Sequence, residues 1–372
     1  MLRRLTLFFK ANDWVLTLSI LLLLLVGLSA LYGSGQNSTE GYQNFVRQGI
    51  FAIIGLAVYL FFAHIDFRRL RSFGGIIYIS ALLLLAAVLI FGTTINNTTG
   101  WFRIGTLGFQ PIELVKVLWI LAMAAYLVYR GQRMSEWKNI AILGALMLGI
   151  VVLTMLQPDL GSALVVIGTT LVLMLITNIK MTRILFIALL IVIVFTASWF
   201  WLLRDYQKER IQVLFNPSLD PLGQGYHVTQ SIIAIGSGGW FGRGLGYGSQ
   251  SQLQFLPEQQ TDFIFAVIAE ELGFAGAGLV VCLFGLLIYR CIRIAMRSKD
   301  PFGTFVVYGI MLMIFFHVLI NIGMNVGLFP VAGIPLPLVS AGGSSLLSMM
   351  MALGIVQSVG IQVRLSESTP RA

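Results

Sequence analysis

Residues 253–274 read LQFLPEQQTDFIFAVIAEELGF, and the reading of this stretch decides the fold. It opens polar, with Pro257, Glu258, Gln259, Gln260 and Thr261, then turns at Asp262 into an apolar run that carries Glu270 and Glu271 two turns further on. The run continues to about residue 289, long enough for a bilayer span of about 17–25 residues. Carboxylates at the mouth of such a helix, or inside it, are costly unless they have a partner or a job. One job is a helix cap, for which Thr261 and Asp262 are both suited. The other is chemistry at the boundary between membrane and water.

The rest of the chain has the same character. Of its 372 residues 58% are hydrophobic and 10% charged, and the mean hydropathy is +0.90. Soluble domains carry about 25% charged residues, so this is an integral membrane protein. The net charge of +9 is then a matter of basic loops rather than of nucleic acid. Cys282 and Cys291 lie in one apolar segment and give no disulfide framework. His64, His227 and His317 share no metal-ligand spacing.

Apolar segments of spanning length fall near 14–33, 46–64, 74–92, 111–129, 138–156, 159–177, 183–203, 262–289, 303–325 and 338–362. The expected fold is therefore all-α and polytopic, with ten transmembrane helices and a long extracytoplasmic loop, about 204–261, between the seventh and eighth. The basic start, with Arg3, Arg4 and Lys10, resembles a signal sequence, but the apolar run exceeds the 7–15 residues of a signal core and reads as an uncleaved first helix. Seventeen of the 24 Lys and Arg fall on one set of connecting segments, among them Arg68, Arg69, Arg71, Arg130, Arg133, Arg290, Arg293 and Arg297. Six fall on the other, namely Arg47, Arg103, Arg204, Lys208, Arg210 and Arg243, and Lys116 lies inside a span. The positive-inside rule puts both termini in the cytoplasm.

Even-numbered helices then begin at the outer surface, and their first turns are polar. The fourth begins Gln110-Pro111-Ile112-Glu113-Leu114-Val115-Lys116, with proline suited to the first helical position and Glu113 three residues from Lys116, on one face. The sixth begins Gln157-Pro158-Asp159-Leu160-Gly161. The eighth begins at Asp262, and the tenth follows Pro335 to Ser345, a stretch rich in small residues that includes Ser340 and Ser344. Each charge facing lipid costs about 2.5–3.5 kcal/mol. Glu113, Lys116 and Glu270 must therefore face one another or a wet cavity, which these helix starts would rim on the outer side.

The loop over 204–261 is charged at Arg204 to Arg210, turn-like at Asp220 to Gly223, apolar at His227 to Ile235, and glycine-rich at 236–246. The glycines lack the strand–helix setting of a nucleotide loop. A loop of this length in a compact protein reads as a functional lid, and the glycines predict that it is mobile. The sequons at Asn37, Asn96 and Asn97 match too short a pattern to carry weight.

A base on the outer surface needs a donor activated there, and a lipid-linked diphosphate is the obvious kind. A carboxylate could take the proton from an attacking hydroxyl. Arg210, Lys116 or a divalent cation, magnesium or manganese, could stabilise the departing diphosphate. No metal site is firmly predicted and no cofactor is certain.

The stretch QSQLQFLPEQQTDFIFAVIAEELG at 250–273 resembles the signature of the SEDS family (shape, elongation, division and sporulation). So do Gln157-Pro158-Asp159-Leu160-Gly161, Gly225-Tyr226-His227 and Pro337-Leu338-Val339-Ser340 followed by Gly342-Gly343-Ser344. The short N-terminus and the Gln250-Ser251-Gln252-Leu253 lead resemble the elongation branch more than the division branch. The resemblance covers nearly the whole chain and implies one membrane domain over 1–372. It implies a peptidoglycan glycosyltransferase of the bacterial cytoplasmic membrane that polymerises lipid II at the outer face, for cell elongation and rod shape, with a class B penicillin-binding protein as partner. The family's proposed catalytic aspartate falls on Asp262, and its buried pair on Glu113 and Lys116. Asp159, Arg103, Arg210, Glu270, Ser340 and Ser344 complete the candidate cavity.

Two departures from the family pattern stand beside that cavity: Ala341 where tyrosine is usual, and Gln260 where histidine is common. They bear on acceptor or lipid contacts. The alternative reading is a lipid II flippase or transporter, in which the charges would bind headgroups in transit. Transporters commonly carry internal repeats and midplane sites. Here no convincing repeat is visible and the polar residues gather at one end of the spans.

Overall fold

In a lipid environment the backbone must satisfy its own hydrogen bonds, so long apolar runs between Gly, Pro and polar punctuation become helices. The computed structural model describes residues 11–368 except 37–38, 96–97, 106, 178, 202–207, 209–211, 215–219, 221–222 and 257. Its first half comprises α1 (Trp14–Gly35), α2 (Thr39–His64), the short α3 (Arg68–Ser72) and α4 (Gly74–Phe91). Strands β1 (Thr93–Ile95), β2 (Thr98–Ile104) and β3 (Leu107–Phe109) follow, then α5 (Pro111–Arg130), α6 (Trp137–Leu156), α7 (Leu160–Ile176) and α8 (Met181–Trp201). The second half holds α9 (Gln224–Ser237), α10 (Ser249–Gln252), α11 (Ile264–Arg297), α12 (Pro301–Asn325) and α13 (Gly343–Ser368).

A helix thus stands at each of the ten expected spans. Among the described residues eight are long and apolar enough to cross a membrane, while α7 is apolar but only 17 residues long. Helix α8 runs for 21 residues. Helices α5, α12 and α13 are mostly buried, whereas α2, α4 and α6 turn most of their surface outward, with Ile53, Ile90 and Phe91 exposed. Helix α12 is central, packing against α11, α7 and α5, and α13 lies along α2.

Asp13 caps α1 by accepting from the amide of Leu16 at 3.2 Å. The same buried carboxylate pairs with Arg290, near the end of α11, and with Arg364, near the end of α13, at 3.3 Å. The start of the first helix and the end of the last therefore lie at one end of the bundle, as an even number of crossings requires.

Two features are absent from the sequence reading. Residues 93–109, between the third and fourth expected spans, form an antiparallel meander in the order β1-β2-β3, with Thr94 opposite Thr99 and Arg103 opposite Gly108. The second is a break in α11 at Gly273, whose φ of 68° and ψ of −166° no ordinary L residue adopts comfortably. The break frees backbone groups, and the glycine-rich segment supplies their partners. Arg243 and Gly244 donate to the carbonyls of Glu270 and Glu271, each at 3.0 Å, and the amides of Phe274 and Ala275 donate to Gly239 at 2.8 Å and Trp240 at 3.0 Å. A β-carbon on Gly238, Gly242 or Gly273 would collide with the facing backbone. The glycines in 238–246 therefore have a role besides the expected mobility. They permit a close approach in which the segment hydrogen-bonds the broken helix.

Candidate active site

The beginning of α11 is positioned by α12. Phe263 precedes the helix and gives no side-chain cap; instead the amide of Ala266 donates to Asn325 Oδ1 at 3.2 Å. Asn321 and Asn325 each donate a side-chain amide to the backbone carbonyl of Asp262 at 3.0 Å. Asn321 also donates to Ile334 O at 2.7 Å, and Asn325 to Asn321 O at 2.8 Å. Both asparagines are fully buried. The backbone carbonyl of Asp262 is thus held by two donors from α12, and its half-buried carboxylate lies beside Gly333, where a β-carbon would come to 3.9 Å from Oδ2.

The turn before α13 is latched to the same place. Ser340 Oγ donates to Thr261 O at 2.6 Å and accepts from Leu336 N at 2.8 Å. Ala341 N donates to Gln260 O at 2.8 Å, so the two departures from the family pattern are in direct contact. The Gln260 side chain accepts from Asn44 at 2.8 Å, and Gln48 bridges Ser340 O (3.0 Å) and Gly342 N (3.1 Å).

One turn along α12 from Asn321 stands His317. The i, i+3 pair expected on α5 forms: Lys116 Nζ donates to Glu113 Oε1 at 2.8 Å, with both side chains buried. A second bond joins Lys116 Nζ to His317 Nε2 at 2.9 Å. An ammonium has only donors, so Nε2 accepts and Nδ1 carries the proton, 3.5 Å from the carbonyl of Pro335. Ser345 hydrogen-bonds the Glu113 carboxylate. The polar ladder His317, Asn321, Asn325, at intervals of four on an otherwise apolar helix, was missed by sequence reasoning although its spacing is legible.

The other candidates divide. Asp159 caps α7, accepting from Ser162 N at 2.9 Å, and lies within electrostatic range of Lys116 and Glu113. Ser344 is buried near the start of α13. Glu270 is fully buried and faces the loop: its carboxylate accepts from the amides of Gln250 (2.8 Å) and Ser251 (3.1 Å). Arg103 is exposed on β2 and donates locally to Gly105 O at 3.3 Å. Arg210 lies outside the described residues. Among the described residues no three His, Cys, Asp or Glu side chains gather as a metal centre.

The comparisons with known proteins point one way. The chain matches the FtsW/RodA/SpoVE family, described as cell cycle protein, over residues 10–365. It is 41% identical over 307 residues, 82% of each chain, to the peptidoglycan glycosyltransferase MrdB of Escherichia coli K12. It is 31% identical to the peptidoglycan glycosyltransferase RodA of Treponema pallidum, over 93% of this chain and 97% of that one. The crystal structure of the rod shape determining protein RodA of Thermus thermophilus is similar at a TM-score of 0.71 and 30% identity, covering 94% and 96% of the two chains. A structure described as showing the coordination of polymerization and crosslinking by a peptidoglycan synthase complex gives 0.79 at 34% identity, covering 95% and 98%. With nearly its whole length matched, this chain belongs to the FtsW/RodA/SpoVE family.

Proposed function

We propose that this chain is a peptidoglycan glycosyltransferase that polymerises lipid II, with Asp262 as general base. One observation carries the reading: Asp262 sits at the head of a broken membrane helix, its backbone carbonyl held by Asn321 and Asn325 on the same α12 ladder whose His317, one turn from Asn321, bonds the buried Lys116 of the Glu113 pair. A base must be held within reach of the proton that it removes, and this is an arrangement for holding one. The names of the relatives attach to the same reaction and lend the transport alternative no support.

In the proposed step the acceptor sugar's 4-hydroxyl gives its proton to the Asp262 carboxylate while its oxygen attacks the donor's anomeric carbon. The bond from that carbon to the diphosphate breaks, and the lipid diphosphate leaves with the electron pair. A single displacement inverts an α-linked donor to a β-1,4 product. The step needs only the Asp262 carboxylate as proton acceptor; a divalent cation bound with the substrate diphosphate would add charge stabilisation to the leaving group.

The reading includes ten crossings, cytoplasmic termini and a site facing outward from the bacterial inner membrane, supported by the basic residues at the end that holds Asp13, Arg290 and Arg364. It includes a class B penicillin-binding protein as partner in cell elongation. The likeness to a chain of a peptidoglycan synthase complex supports that partnership. The test is purified protein with labelled lipid II, resolved on a gel for glycan polymer with and without the partner. Polymer made by the wild type and not by Asp262→Asn supports the proposal; no polymer under either condition overturns it.

A further inference from the structure

At the basic end of the bundle, away from Asp262, helices α4, α5 and α6 enclose a cavity of about 320 Å³. Its walls are Tyr78, Trp119, Met123 and Tyr126, and Arg71 and Ser72 of the short α3 stand at its mouth. Along α5 it runs from Trp119 to Tyr129, ten residues or about 15 Å, half of the roughly 30 Å of bilayer hydrocarbon. The cavity is therefore one leaflet deep, apolar within and cationic at the rim.

The glycines at the start of α4 make the opening. Gly74 allows close packing, since a β-carbon there would come to 2.6 Å from that of Ala125. Gly75 faces open space, with nothing within 4 Å of the same position. Arg71 at the mouth and Arg130, next in sequence to the lining residue Tyr129, lack counter-ions: among the described residues no acidic side chain pairs with either. The Arg130 guanidinium is held over the rings of Tyr126 and Tyr129, 5.4 and 5.1 Å from their centroids, and its Nε is shielded from solvent with no acceptor.

We infer that this groove is a binding site for an anionic phospholipid, with one acyl chain lying along α5 and the phosphate between Arg71 and Arg130. Basic pockets between membrane helices recognise such headgroups by charge, while the chain occupies apolar surface that would otherwise be unfilled. The site is separate from the polymerisation site, and its test does not depend on activity.

The experiment uses the full chain in bilayers of equal mole fractions of phosphatidylglycerol and phosphatidylcholine, followed by native mass spectrometry. The wild type is expected to retain one phosphatidylglycerol, enriched about five-fold for each contributing arginine. Gly75→Leu should fill the groove and lose the adduct, and Arg71→Gln should cut the headgroup preference about five-fold, with the melting temperature unchanged in both. Phosphatidylglycerol carrying brominated chains should quench Trp119, measured against Trp119→Phe. Equal retention of the two lipids by the wild type, or an adduct that survives both variants, identifies ordinary annular lipid and overturns the inference. If Gly75→Leu does not fold, Arg71→Gln and the quenching decide the matter.

Discussion

Asn321 donates its side-chain amide to the backbone carbonyl of Asp262 at 3.0 Å, across 59 positions of sequence. Helix α12 thereby fixes where the proposed base sits through its main chain. Asn321→Ala should leave the Ile334 carbonyl short of its donor, at about 1–3 kcal/mol, and the Asp262 carbonyl with Asn325 alone, and should lower polymerisation at least about ten-fold through misplacement. Thermal melting together with the lipid II gel checks this. A variant as active as the wild type would show that the placement of Asp262 comes from elsewhere.

Asp262→Asn keeps the size of the side chain and removes the proton acceptor. The expected result is at least about a 10²-fold loss of polymerisation in a protein that melts normally. The amide of Ala266 is already capped by Asn325, so a structural role at that amide would not explain such a loss. Near-normal turnover would sink the assignment of the base.

Lys116 is held from two sides, by Glu113 at 2.8 Å and His317 at 2.9 Å. Removing one partner of a buried ion pair leaves the other charge stranded, at about 3–5 kcal/mol, so Glu113→Ala and Lys116→Ala should each melt early. The double variant should recover most of that stability. Scoring the cycle on both melting and polymer separates two roles. Stability recovered without polymer means that Lys116 also serves the diphosphate, and recovery of both means that it only balances Glu113. His317→Gln, which can still accept from Lys116, should be milder than His317→Leu in melting temperature.

Gly273→Ala places a β-carbon against the Gly242 amide in a conformation close to glycine-only. The backbone strain alone is about 1–3 kcal/mol. Gly278→Ala, further along α11 with nothing within 4 Å, is the matched control and should be neutral or slightly stabilising. In hydrogen exchange the amides of Arg243 and Gly244 should be strongly protected. Rapid exchange there would restore the picture of a free lid.

The helices were legible because hydropathy alone dictates them, and Glu113 with Lys116 because three residues is a helical neighbour distance. The break at Gly273 was hidden, since a glycine in a continuous apolar run gives no sign of which backbone will approach it. The role of Glu270 was equally hidden: its partners are main-chain amides 19 and 20 residues upstream, and every residue type has an amide. Residues 93–109 held a strand signal in their threonines and isoleucines that the search for spans passed over. His317, Asn321 and Asn325 are a different case, because polar residues every fourth position in an apolar helix can be read from sequence and predict a shared buried partner.

The docking of residues 238–246 onto the break has a consequence for how the chain is made. The segment precedes the break in sequence, so it has left the ribosome before residues 264–297 enter the bilayer. Its amides and carbonyls are then in place to receive backbone groups that lipid could not satisfy, each worth several kcal/mol. With the order reversed, the kinked helix would have to wait in hydrocarbon with those groups bare. In the proposed orientation, synthesis order thus makes export of the glycine segment a precondition for seating α11. A deletion within 238–246 should show itself during biogenesis, as failed insertion and degradation, rather than as a slow enzyme.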